Sequence, residues 1–264
     1  MKFSASICLL AVFLLTPLAS HALPSETLNK TEIRHVVVYW SAFPIADFIT
    51  SFVPDTKGNV KATAIITTSG LAKTITRYGS ETKTDVVYEK GQYRPVSYTT
   101  KFDFRKKTRN IAITYKDDGS VKSYRNDPPE NPGKRPPVPA SQTKGAYDPL
   151  TAFLVARQKV IESYKGGAKK FSLPLYDGRR RSDIAFEVLP EEKGLVHVAL
   201  KEVPVAGFTN NEKQEKKNRG DTTIHVYLDK TDFLPVKARG VSMVGEAHGI
   251  MTSKCTTLES CMKR

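Results

Sequence analysis

Histidine is the first place to look for acid–base or metal chemistry, and His35, His197, His225 and His248 remain once an amino-terminal leader is set aside. The first three sit on strand-like stretches beside apolar neighbours. A triad or a metal site needs them to converge in space, and the competing reading is outward or locally satisfied side chains. The sequence holds no nucleophile elbow, phosphate loop, dinucleotide fingerprint or zinc-binding helix motif. Asp148 could serve as an acid, but it stands directly before Pro149 and an apolar run, the arrangement of a helix N-cap. Arg179, Arg180 and Arg181 are candidate contacts for an anion or lipid headgroup, because guanidinium forks match phosphate and carboxylate geometry. Adjacent strand residues face opposite sides, so a solvated turn is the bland alternative. Trp40, with Phe43, Phe48 and Phe52, forms an aromatic-rich segment that reads as core packing or as a lid over an apolar groove. Trp40, Phe43 and Phe48, together with Leu150, Phe153, Leu154 and Ile161, make up the candidate apolar groove. No catalytic residue, cofactor or metal is implied.

The leader sets the chemical setting. Met1 to Ala22 has a positive start at Lys2, an apolar run from Ile7 to Leu15, a break at Pro17 and small residues at Ser20 and Ala22. This is the pattern of a cleaved secretory signal, with the mature chain starting near Leu23. The run is shorter than the roughly 20 residues of a membrane-spanning helix, and no second run approaches that length. In an oxidising compartment the isolated pair Cys255 and Cys261 is expected to be bonded, as a staple on a C-terminal tail at 253–264. No histidine or further cysteine lies at zinc spacing from it. The formal charge is +14, one unit less once Lys2 leaves. Such a surface favours anionic partners. Behind a signal peptide these are lipid headgroups, wall polymers and acidic proteins rather than nucleic acid.

Positioning elements follow from periodicity. Ile33–Tyr39, Val60–Thr68, Asp85–Glu89, Arg94–Phe104, Asn110–Tyr115 and Val121–Arg125 read as a first set of strands. Leu71, Ile75 and Tyr78 fall at helical spacing and predict a short helix. Residues 126–145 carry Pro128, Pro129, Pro132, Pro136, Pro137 and Pro139, which deny a ladder its donors and predict an extended, solvated connection. Asp148 and Pro149 then open an amphipathic helix of about 16 residues with Leu150, Phe153, Leu154, Arg157, Val160, Ile161 and Tyr164 on its stripe, stopped by Gly166-Gly167. Strands resume at Lys170–Leu175, Asp183–Leu189, Leu195–Glu202, Thr222–Leu228 and Leu234–Ser242, and Val203–Gly220 reads as a long exposed loop with a charged tip. One long helix between two strand groups predicts a mainly β, single mature domain over 23–264: a curved antiparallel sheet or half-barrel wrapped over that helix.

Several short motifs occur in a telling order: Tyr39-Trp40-Ser41-Ala42-Phe43-Pro44-Ile45-Ala46, Thr67-Thr68-Ser69-Gly70-Leu71-Ala72, Tyr147-Asp148-Pro149-Leu150-Thr151-Ala152-Phe153, Asp177-Gly178-Arg179-Arg180 and Leu234-Pro235-Val236-Lys237-Ala238. In this the chain resembles a bacterial exported family, the domain of unknown function 3108. The resemblance implies a Gram-negative periplasmic protein with a half-barrel similar to those of lipoprotein carriers, and it implies no reaction. The proline-rich connection, the basic loop and the cysteine pair depart from the family pattern. The expected function is therefore a non-catalytic cell-envelope module that holds a lipid-like or hydrophobic ligand on a concave face with a basic rim. The alternatives are a structural or protein-binding envelope factor without a small ligand and a hydrolase built around His197 or His225.

Overall fold

A computed structural model describes residues 28–105, 107–219, 222–242 and 245–262. The leader expected at 1–22 lies outside the described residues. The elements in chain order are β1 (Glu32–Trp40), β2 (Phe43–Pro54), β3 (Val60–Thr68), α1 (Gly70–Ile75), β4 (Tyr78–Glu89), β5 (Gln92–Phe104), β6 (Lys107–Tyr115) and β7 (Val121–Asp127). There follow α2 (Ala140–Thr143), α3 (Pro149–Tyr164), β8 (Lys170–Tyr176), β9 (Arg181–Glu192), β10 (Leu195–Ala206), α4 (Asn210–Arg219), β11 (Ile224–Leu228), β12 (Pro235–Ser242), β13 (Gly245–Cys255) and α5 (Leu258–Met262).

The strands form one 13-stranded antiparallel sheet in the order β7-β6-β5-β4-β3-β2-β1-β13-β12-β11-β10-β9-β8. Two meanders, β1–β7 and β8–β13, are joined by the pairing of β1 with β13. The connection after β7 and α3 carry the chain from one edge of the sheet to the other. The sheet curls around α3, giving the expected mainly β half-barrel. Its edges approach without pairing: the Tyr124 hydroxyl on β7 donates to the Gly178 carbonyl beyond β8, at 2.6 Å. Gly178 has φ +87°, and a Cβ there would lie 2.5 Å from Ile111 Cγ2, so the seam needs glycine.

α3 is enclosed rather than striped. Ala152, Val155, Ala156, Gln158 and Ser163 are buried along with Leu150, Leu154, Val160 and Ile161, because the curved sheet covers more than one side of the helix. Its amino-terminal half packs with Phe52, Ala62, Ala64, Val86 and Leu173, and its carboxy-terminal half with Val188, Val196, Val198, Leu228 and Phe233.

Other expectations need correction. The proline-rich connection is not simply solvated. Arg135 and Thr143 are buried, and Arg135 donates to the Gly207 carbonyl and to Glu212. Proline denies a ladder its donors but does not prevent a segment from docking through side chains. Val203–Gly220 is not one exposed loop: β10 continues to Ala206, Phe208 is buried, and α4 begins at Asn210. A capping box explains the helix, with Thr209 N–H donating to Glu212 Oε2 (2.8 Å) and Glu212 N–H to Thr209 Oγ1 (3.2 Å). The short helix α1 exists but leaves Leu71 and Ile75 exposed, and Tyr78 belongs to β4. The segment after Trp40 is a full strand, β2, and the tail from residue 253 starts inside another, β13.

Candidate functional site

The concave face is packed over most of its length and opens beside the start of α3. There a cavity of about 300 Å3 is bounded by Phe48, Thr50 and Phe52 of β2, Ala64 and Ile66 of β3, and Leu150 and Phe153 of α3. Glu32, Arg34 and Val36 of β1, Thr82 of β4, Pro149, Leu234 and Pro235 complete it. Strand registry builds this wall: Val36 pairs with Phe48, Arg34 with Thr50 and Glu32 with Phe52, so all six share the inner face. Phe153 stacks on Phe52 with ring centroids 5.0 Å apart. The buried carboxylate of Asp148 fixes the helix start. It accepts from the N–H groups of Leu150 (3.0 Å) and Thr151 (3.1 Å) and from the hydroxyls of Thr151 (2.5 Å) and Thr84 (2.9 Å). Burial pushes this carboxyl above its ordinary value despite those bonds.

Of the sequence-expected groove residues, Phe48, Leu150 and Phe153 meet in the cavity. Leu154 and Ile161 do not; they are fully buried in the core below it. Trp40 lies at the end of the sheet, where its indole sits over Gly245, and Phe43 is 67% exposed at the neighbouring turn. The aromatic segment therefore does not form a lid: as part of β2 it forms a wall.

A buried polar cluster stands at one side of the cavity. Arg34 donates to Asp232 and, at 3.2 Å, to the Pro235 carbonyl, and lies 3.8 Å from Glu32. Arg157 Nε donates to the Asp232 carbonyl at 2.8 Å, and burial lowers the pKa of its guanidinium from the ordinary value. The turn that presents Asp232 is strained, with Phe233 at φ +54°. Its buried ring, edge-on to Tyr164, holds that conformation. Arg34 Nε is buried without a hydrogen-bond partner among the described residues. Sequence reasoning missed Arg34, since a cation on an alternating strand reads as a solvated face.

The arginines at 179–181 are engaged within the molecule. Arg179 pairs with Glu130, Arg180 with Asp177 at 2.9 Å, and Arg181 with Asp183 at 2.8 Å. They fasten the proline-rich connection and the β8–β9 turn. Cys255 and Cys261 form a disulfide with Cα atoms 5.6 Å apart. Cys261 packs on Ile33 and Ile49, so the staple covers the outer face of β1 and β2.

Two histidine groupings occupy the outer face. His197 Nε2 lies 2.8 Å from His225 Nδ1, and its ring stacks on Tyr227 at 4.7 Å. Burial, then the neighbouring His225, lowers the His197 pKa. His35 Nε2 lies 2.9 Å from Asp47, and its Nδ1 lies 3.1 Å from Thr252 Oγ1. That hydroxyl–imidazole–carboxylate line resembles a triad, but Thr252 Oγ1 also lies 3.2 Å from the His35 carbonyl, an acceptor for its proton. The geometry ties β13, β1 and β2 together rather than freeing a nucleophile. Among the described residues, no group of three or more metal-ligating side chains is placed to hold an ion, and no helix is long and apolar enough to cross a membrane.

The family model described as "Protein of unknown function (DUF3108)" matches residues 36–252. The chain belongs to this family. The DUF3108 span includes α3 and most of the cavity wall but begins two residues after Arg34 and ends before Cys255. Both the Arg34 guanidinium and the staple therefore lie outside it, while Arg157 and Asp232 of the same cluster lie within it. A solved β-barrel-like protein of domain of unknown function DUF1849 from Brucella abortus is similar at a TM-score of 0.47 and 9% identity, covering 85% of this chain and 95% of that one. No curated protein matches.

Proposed function

We propose that this protein is a non-catalytic module of the bacterial cell envelope, exported to the periplasm after cleavage behind Ala22, and that it holds an acyl chain in the cavity beside α3. The observation that carries the reading is the cavity itself: about 300 Å3, lined mainly by apolar and aromatic side chains, with one polar cluster at its side. That volume lies at the lower end of the roughly 300–1,000 Å3 range of ligand pockets. It suits one chain rather than a multi-chain lipid. The unpaired Nε of Arg34 favours a ligand that brings a hydrogen-bond acceptor. Glu32 and Asp232 already flank the guanidinium, so a neutral ester or amide carbonyl fits better than a free carboxylate. The leader pattern and the Cys255–Cys261 disulfide support an oxidising compartment.

Native mass spectrometry and organic extraction of the protein purified from the periplasm test this. An acyl ester or amide at one per chain supports the proposal. A protein that carries none and binds none when offered them removes it. A second reading, a protein-binding envelope factor, is favoured by the open edge strand β7, whose outer backbone groups could pair with an added strand. Affinity capture that returns a specific protein, with no lipid on the purified chain, supports that reading instead.

A further inference from the structure

The end of the sheet that carries the β1–β2 and β5–β6 turns presents apolar and cationic side chains together, outside the cavity. Phe43 is 67% exposed, Leu71 76%, Ile75 69% and Phe104 45%. The backbone makes these one platform. Ser69 N–H donates to the Ile45 carbonyl at 2.9 Å, which ties the start of α1 to β2, and Arg105 N–H donates to the Thr76 carbonyl at 3.2 Å, which ties its end to the β5–β6 turn. α1 lies hard against β2: a Cβ on Gly70, at φ +54°, would come 2.8 Å from the Pro44 carbonyl oxygen. Leu71 and Ile75, four residues apart, share one face of the helix.

The same end is cationic. Lys73, Arg77, Arg105 and Lys107 are exposed, and none has a carboxylate partner among the described residues. Arg77 (φ +44°) and Arg105 (φ +58°) occupy left-handed backbone positions where glycine would be free of strain. The Arg105 guanidinium lies 5.4 Å over the Phe104 ring, which keeps cation and apolar surface side by side.

We propose that this platform docks on the headgroup plane of an anionic phospholipid bilayer, with Leu71, Ile75, Phe43 and Phe104 entering the acyl boundary and the four cations meeting phosphates. Exposed apolar side chains flanked by unpaired cations have the chemistry of a peripheral membrane anchor. An acidic protein surface would satisfy the cations without rewarding four large apolar groups held in water. The inference does not depend on the cavity or its ligand, because no residue is shared between the two.

The test is flotation of the mature protein with vesicles of phosphatidylglycerol and phosphatidylcholine in equal parts, against vesicles of phosphatidylcholine alone. The protein is expected on the anionic vesicles and to be released at high salt. Leu71→Ser with Ile75→Ser should weaken binding at least about tenfold with little change in Tm, since both side chains are exposed in the folded state. Arg77→Gly and Arg105→Gly should each weaken it on the order of fivefold, while Tm stays level or rises as left-handed strain is relieved. That pairing separates a docking role from a structural one. Equal partition onto both vesicle types, binding to neither, or binding untouched by these variants would overturn the proposal.

Discussion

Asp148→Ala should destabilise the protein by about 3–5 kcal/mol, and Asp148→Asn should not. The carboxylate caps α3 and also receives the Thr84 and Thr151 hydroxyls in a site with no solvent exposure. Loss of a cap costs about 1 kcal/mol. Each buried donor left without an acceptor adds roughly 1–3 kcal/mol, less whatever the hydroxyls recover by rotating. Asparagine keeps Oδ1, which receives Leu150 N–H, Thr151 N–H and the Thr84 hydroxyl, and its amide can donate to Thr151 Oγ1. It also carries no charge to desolvate, so its cost should stay within about 1 kcal/mol. The pH dependence has a definite sign. Burial raises this carboxyl in the folded state, so its contribution is full in acid and declines as pH rises through the raised value. Asp148→Asn removes that decline, and its stability relative to wild type should improve from pH 4 to pH 8. Urea denaturation followed by circular dichroism at both values reads the effect. An alanine variant within about 1 kcal/mol of wild type, or an asparagine variant as unstable as alanine, would refute the reasoning.

Three further outcomes are expected. Reduction of Cys255–Cys261, or Cys255→Ser with Cys261→Ser, should cost about 2 kcal/mol by chain entropy for so short a loop, with hydrogen exchange rising first in α5. His197 has a lowered folded pKa, so its stability contribution is present above the unfolded value and lost as pH falls through the folded one. Tm should therefore drop between pH 7.5 and 5.5, and drop less in His197→Gln. Arg135→Ala should cost about 3 kcal/mol, because it removes the buried donor to the Gly207 carbonyl and the ion pair to Glu212, which then keeps only the Thr209 N–H and the more distant Arg180. Proteolysis should then cut the proline-rich connection or α4 before the sheet.

Much of the fold was legible in the sequence where one rule acted alone. Val196, Val198 and Leu200 alternate along β10, and Asp148-Pro149 marks the start of α3. What escaped had competing signals. β2 shows no clean alternation because both its faces are covered, the inner by Phe153 and the outer by the Cys261 staple. β13 is rich in glycine and charge, which strands disfavour, and pairing with β1 and β12 overrides that. α4 could have been found from Thr209 and Glu212 at capping-box spacing. In the site, Leu150 and Phe153 followed from helical period. Arg34 did not, because its partner Asp232 is 198 residues away in sequence.

The cavity is tested most directly by titrating the purified protein with a pyrene-labelled acyl ester, beside Thr50→Phe, which places a benzyl group in the space that Thr50 now borders. Saturable binding at one ester per chain, weakened at least about tenfold in a variant of unchanged Tm, is the predicted result. Absence of binding, or equal affinity in the two proteins, would contradict it.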